Sequence, residues 1–165
     1  MSDTLLPAEI TDLARRVVEE NAAAGRKIAL AESCTGGLVA AAITEIPGSS
    51  AVLDRSFVTY SNEAKQTLLG VEDDILEAFG AVSVACVYSI AKGALERSGA
   101  DVAVAISGIA GPGGGSETKP VGTVVFARAI RGVDQPEAEE RLFEDEGRSG
   151  VRRQATLCAL ELLLP

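Results

Sequence analysis

The stretch DVAVAIS, residues 101–107, constrains this chain more than any other. After Asp101 it stays apolar through Ile106, is rich in β-branched residues and is too short for a helix. It therefore predicts a strand buried on both faces, which needs a covering layer on each side of its sheet. KIALAE (27–32) reads the same way. Around these runs the spacing predicts helices. The first covers 7–24, with Pro7 at its first position and Gly25 as a left-handed cap. Others run from Thr35 to Thr44, over 62–70 with Asn62 as cap, over 71–80 and over 83–99. SFVTYS (56–61) predicts a further strand, VGTVVFARAIR (121–131) a long one, AEERLFED (138–145) a charged edge strand, and 148–164 a closing helix. Strands alternate with helices early and a hairpin comes late. The expected class is α/β: a three-layer α/β/α sandwich with a mixed, mostly parallel sheet of about five strands, as one domain spanning 1–165.

Composition narrows the function. The chain has 165 residues, a net charge of −9, no tryptophan and little tyrosine or phenylalanine. A general nucleic-acid binder needs a basic footprint, and the balance here is the reverse. No apolar run is long enough to cross a membrane, and the acidic start MSDTLLPAEITD does not read as a signal peptide. Cys34, Cys86 and Cys158 are an odd number at wide spacing. They suggest reduced thiols in a cytoplasmic protein, neither a disulfide framework nor a zinc site.

Histidine is absent altogether. A Ser-His-Asp or Cys-His device is then impossible within the chain, as is a histidine-ligated metal. Any hydrolytic base must be Lys, Asp, Glu or Tyr. The lysines are only Lys27, Lys65, Lys92 and Lys119.

Ligands of open α/β sheets bind outside the carboxyl ends of the strands. Three candidate stretches lie there. In AESCTGG (31–37) a strand runs straight into a helix start, whose free N–H groups and dipole suit an anion. Gly36 and Gly37 let a ligand approach the backbone, while plain capping by Ser33 or Thr35 is the competing account. In TYSNEAK, Lys65 sits in a first helical turn, where the macrodipole disfavours a cation and lowers its pKa. A neutral lysine is a competent base for a serine hydroxyl, though a solvated surface lysine is the plainer alternative. SGIAGPGGG, from Ser107 onward, is dense enough in glycine to form an anion nest, or is simply a surface loop. PGSS (47–50) is by itself only a turn. Arg148 and Arg152 share one face of the last helix, and Arg148 at its start can reach a phosphate.

Taken together, AESCTGG, PGSS, FVTYSNEAK, SGIAGPGG, KPVGTV and GRSGVRRQA resemble the C-terminal domain family of CinA, competence/damage-inducible protein A, and most of all its stand-alone nicotinamide-nucleotide amidohydrolase branch. The matching segments run from residue 31 to 155, and their order and spacing are far more specific than any one of them. The resemblance implies a metal-free, cofactor-free deamidation of nicotinamide mononucleotide to nicotinate mononucleotide and ammonia, in bacterial pyridine-nucleotide recycling. It also suggests a homodimer. The family's functional positions map onto Ser33, Ser50, Tyr60 and Lys65, with Arg148 assisting. Ser107 stands where the family usually has threonine, keeping the hydroxyl.

Resemblance and missing histidine converge on a Ser-Lys device. Lys65 takes a serine proton, Tyr60 relays it or orients the lysine, and backbone N–H groups hold the oxyanion. Cys34, Thr35, Gly36 and Gly37, with Ser107, Gly108, Ala110, Gly111 and Arg148, are expected to bind the substrate. Ser50 is the favoured nucleophile, with Ser33 holding the carboxamide or phosphate; Ser33 on its strand-to-helix turn is the other choice. Two alternatives stand beside this: Cys34 as nucleophile with Lys65 as partner, and a non-catalytic nucleotide sensor.

Overall fold

The computed structural model describes residues 3–165. In chain order the elements are α1 (Ala8–Ala24), β1 (Ile28–Glu32), α2 (Leu38–Thr44), a 3-10 turn (Ser49–Ala51), β2 (Leu53–Val58), α3 (Asn62–Leu69), α4 (Asp73–Phe79), α5 (Val84–Glu96), β3 (Val102–Gly108), β4 (Thr123–Ile130), β5 (Glu137–Leu142) and α6 (Gly147–Leu162). The five strands form one mixed sheet in the order β2-β1-β3-β4-β5. β1 pairs parallel with β2 and β3, whereas β3–β4 and β4–β5 are antiparallel. The pairings are thus evenly split between the two kinds, although four of the five strands run the same way.

Alternation along the strands sorts side chains into two unlike faces. Ile28, Leu30, Val104, Ile106, Val124 and Phe126 point to one side, where α1, α2 and α6 cover them with Val17, Val39, Ile43, Val151 and Ala155. The opposite face is small: Ala29, Ala31, Ala103, Ala105, Ala127 and Ala129 lie under α5 and its Val87, Ile90 and Ala94. Alanine on this face lets α5 lie close to the sheet. Gly93 on α5 lets it approach α3 too, since a Cβ there would stand 2.1 Å from the Leu69 carbonyl oxygen.

Local chemistry sets the helix ends, and in places it differs from expectation. Pro7 caps α1, one residue before its first helical position, and Gly25 at φ 63° ends it. Ser61, not Asn62, caps α3: its Oγ accepts from the Ala64 N–H at 3.0 Å. α2 begins at Leu38 instead of Thr35, because residues 34–37 make a turn that closes on Gly36 and Gly37 with φ of 59° and 103°. β2 starts and ends three residues earlier than the expected 56–61.

The register then aligns the strand ends. Glu32 lies opposite Val58 on one side and Ile106 on the other. The residues that follow, Ser33, Thr59 and Ser107, therefore emerge as neighbours at the carboxyl edge, with adjacent strands about 4.8 Å apart. The Thr59 N–H continues the ladder, donating to the Glu32 carbonyl at 3.0 Å.

Candidate active site

A pocket of about 280 Å³ opens at this edge. Its floor is made by Ser33, Cys34 and Ser107, its sides by Lys65 and the glycine loop 108–114, and its mouth by Tyr60 and Arg148. The volume lies near the lower end of small-molecule sites. A second cleft, about 270 Å³ between β4–β5 and the end of α6, is lined by residues such as Phe126, Arg128 and Glu137 and contains no nucleophile.

Lys65 is 1% exposed. Its Nζ donates to the Thr59 carbonyl at 2.6 Å and lies 3.2 Å from Ser33 Oγ. Burial pulls its pKa below the ordinary lysine value, and the nearby Cys86 and Cys34 thiols only partly oppose this. The first turn of α3 adds the positive end of a helix dipole. A neutral amine donates one N–H to Thr59 and keeps its lone pair for the Ser33 hydroxyl. Lys65 is the only protein partner of that hydroxyl among the described residues, since Ser33 Oγ enters no other hydrogen bond.

Ser50 is elsewhere. It is exposed, in the 3-10 turn that precedes β2, and so at the amino end of the strand whose carboxyl end meets Lys65. Five strand steps alone separate the two ends by about 17 Å. The expected pairing of Ser50 with Lys65 is therefore not made within this chain, because parallel β2 carries the two residues to opposite edges of the sheet. Tyr60 makes no hydrogen bond to Lys65 either. It is 62% exposed, and its hydroxyl accepts from Arg148 Nη2 at 3.0 Å. Thr59, through its carbonyl, takes the orienting role expected of Tyr60.

The anion-binding helix start is also corrected. The Glu32 side chain, fully buried, already occupies it: Oε1 accepts from the Thr35 hydroxyl at 2.7 Å and from the Val39 N–H at 3.0 Å, and Oε2 from the Ala40 N–H at 3.1 Å. A carboxylate so placed satisfies the donors a phosphate would use. Thr35, Gly36 and Gly37 consequently do not line the pocket, and Gly36 lies against Arg152 with the φ of 59° that glycine permits. Cys34, Ser107, Gly108, Ala110, Gly111 and Arg148 do line it. Ser107 is 1% exposed and its hydroxyl has no hydrogen-bond partner among the described residues, so it is free to meet a ligand. Arg148 spans the mouth, its Nη1 donating to the Gly111 carbonyl at 2.7 Å.

Cys34 is a poor nucleophile in this setting. Burial pushes its thiol up to about 11. The thiolate is the reactive form, so almost none is present at neutral pH.

Three contributors were not singled out from sequence. Glu32 carried a signal, an acid ending an apolar strand just ahead of a helix. Arg152 was visible as a helix-face cation, but not its carbonyl partners. The Thr59 carbonyl is backbone, which no side-chain pattern marks.

Fold and site together define a small α/β domain with a buried serine–lysine pair at the carboxyl edge of a mixed sheet. The profile of the CinA C-terminal domain matches residues 10–165, and the chain belongs to that family. It is 51% identical over 156 residues to nicotinamide-nucleotide amidohydrolase PncC of Escherichia coli strain K12, covering 94% of this chain and 93% of that one. A CinA-like protein of Akkermansia muciniphila is 52% identical over 138 residues, 84% of this chain, which spans only 33% of that longer protein. Among solved structures, competence/damage inducible protein CihA from Agrobacterium tumefaciens superposes with a TM-score of 0.93 at 49% identity, covering 97% of this chain and 96% of that one.

Proposed function

We propose that this chain, as one catalytic domain, hydrolyses the carboxamide of nicotinamide mononucleotide to nicotinate mononucleotide and ammonia. The observation that carries the reading is the contact between a buried, pKa-lowered Lys65 and the Ser33 hydroxyl in the pocket wall. The name borne by the Escherichia coli relative supports the substrate class.

Lys65 Nζ takes the Ser33 proton as Oγ bonds to the carboxamide carbon. The oxyanion is held by backbone N–H groups, a term worth about 3 kcal/mol per donor. Lys65 returns the proton to the leaving nitrogen, the C–N bond breaks and ammonia departs, leaving an ester on Ser33. Water then attacks that ester, giving its proton to Lys65, and the nicotinate carboxyl leaves as Ser33 recovers its hydrogen. Ser107 and the glycine loop meet the ribose-phosphate, and Arg148 exchanges its partners at the mouth for the phosphate. Buried free thiols suit a reducing, cytoplasmic setting, and the family suggests a dimer in solution.

The test is ammonia release from nicotinamide mononucleotide by metal-stripped protein, with nicotinate mononucleotide identified as the co-product. Stoichiometric release is expected. Saturable binding without release overturns the amidase reading and leaves a nucleotide sensor.

A further inference from the structure

The turn that carries Ser33 is gripped from outside the pocket by a residue with no part in the scheme above. Arg152, one helical turn beyond Arg148 on α6, donates from Nε to the Cys34 carbonyl at 3.0 Å and from Nη2 to the Thr35 carbonyl at 3.3 Å. The Ser33 carbonyl is held separately, by the Gly36 N–H at 2.9 Å. In a planar trans peptide the N–H points opposite its carbonyl. With these carbonyls pinned, the N–H groups of Cys34 and Thr35 are fixed on the other side, and neither donates to an oxygen elsewhere in the described protein. Cys34 lines the pocket directly after the serine.

We infer that Arg152 is a positioning residue: by holding the Thr35 carbonyl it keeps the Gly36 N–H of that peptide on the Ser33 carbonyl, and so keeps the Cys34 N–H of the Ser33–Cys34 peptide in place as oxyanion donor. Release of the Thr35 carbonyl would let the Thr35–Gly36 peptide rotate and its N–H drop the Ser33 carbonyl. Charge-assisted hydrogen bonds from a guanidinium fork oppose that rotation. Gly36 is required by its backbone, φ 59°, and a Cβ there would only touch the guanidinium, at 3.4 Å. Glu32 holds the other side of the turn through Thr35, so the segment is clamped between a carboxylate and a guanidinium.

The catalytic half of this inference rests on the amidase reading, and the structural half does not. The test therefore has two arms on Arg152→Lys and Arg152→Ala. In the first, amide hydrogen exchange by NMR is compared with the parent. Faster exchange at Gly36, whose N–H holds the Ser33 carbonyl, with β1 and α5 unchanged, is expected for Arg152→Ala; unchanged exchange at Gly36 overturns the clamp. In the second, ammonia release is followed with methylguanidinium added. A kcat loss of about 10- to 100-fold is expected, below the full loss of a donor. KM should stay within about twofold, the acid limb of the pH profile should not move because it belongs to Lys65, and methylguanidinium should restore part of the Arg152→Ala rate. Unchanged kcat in a folded variant, or a loss confined to KM, overturns the oxyanion role. A parent that releases no ammonia overturns the amidase reading and the oxyanion role together, while the exchange arm still decides the clamp.

Discussion

Lys65 Nζ and Ser33 Oγ lie 3.2 Å apart although 32 residues of chain separate them. The contact is made by register: β1 and β2 end side by side, so the turn after β1 carries the serine and the helix after β2 returns the lysine beneath it. Thr59, between them, supplies the carbonyl that holds the amine.

The nucleophile is separable by two single variants. Ser33→Ala is expected to lower kcat by at least about 10³-fold, as loss of a covalent nucleophile does. Ser50→Ala, at the far end of β2, should stay within a few-fold of the parent. Steady-state ammonia release checks both, and the reverse order returns the role to Ser50.

Lys65 should show a trade of stability for activity. The amine works neutral, so kcat/KM falls as pH drops through the lowered folded pKa. The unfolded chain binds this proton more readily than the folded one. The group's contribution to stability therefore rises with pH from the folded value up to the ordinary lysine value, and it is unfavourable at neutrality. Lys65→Met is expected to abolish turnover and to raise Tm at pH 7 by about 2–6 °C. That gain should shrink as the pH approaches the ordinary lysine value. Melts at several pH values check the trend, and a Tm unchanged or lowered at pH 7 contradicts it.

Removing the Glu32 carboxylate strands four donors at once, the Thr35 and Ser56 hydroxyls and the Val39 and Ala40 N–H groups. Glu32→Ala should cost about 2–4 kcal/mol in denaturant unfolding, and Glu32→Gln, which keeps one acceptor, less. A loss below about 0.5 kcal/mol in the alanine variant would mean that the helix start finds other acceptors.

A thiol held near 11 leaves a thiolate fraction of ~10⁻⁴ at pH 7. Iodoacetamide should modify Cys34 slowly at neutral pH and faster as the pH rises. Cys34→Ala should keep turnover within a few-fold, because the backbone N–H that the oxyanion needs remains. Loss of all activity in that variant favours a cysteine nucleophile.

Much of this was legible in residue order. The apolar runs in KIALAE and DVAVAIS mark strands buried on both faces, which require a covering layer on each side of the sheet. The absence of histidine restricts any hydrolytic base to Lys, Asp, Glu or Tyr. Gly25 and Gly70 marked helix ends because left-handed backbone is cheap only for glycine. These are local properties, set by covalent chemistry and short-range sterics.

Other features depended on the tertiary structure. Ser33 and Ser50 both lie in small polar turns and are alike as sequence. Only the parallel pairing of β1 with β2 sends one to the carboxyl edge and the other away from it. The helix start in AESCTGG has every mark of an anion site, yet Glu32 folds back to fill it and leaves Ser33 and Cys34 as the pocket wall. Arg152 acquires its role only when α6 packs beside a turn 117 residues earlier in the chain. The sequence by itself determined the layers, the helix ends and the kind of base. Which serine meets that base was decided by strand register and long-range packing, because hydrogen-bond geometry between distant segments is not written into either segment alone.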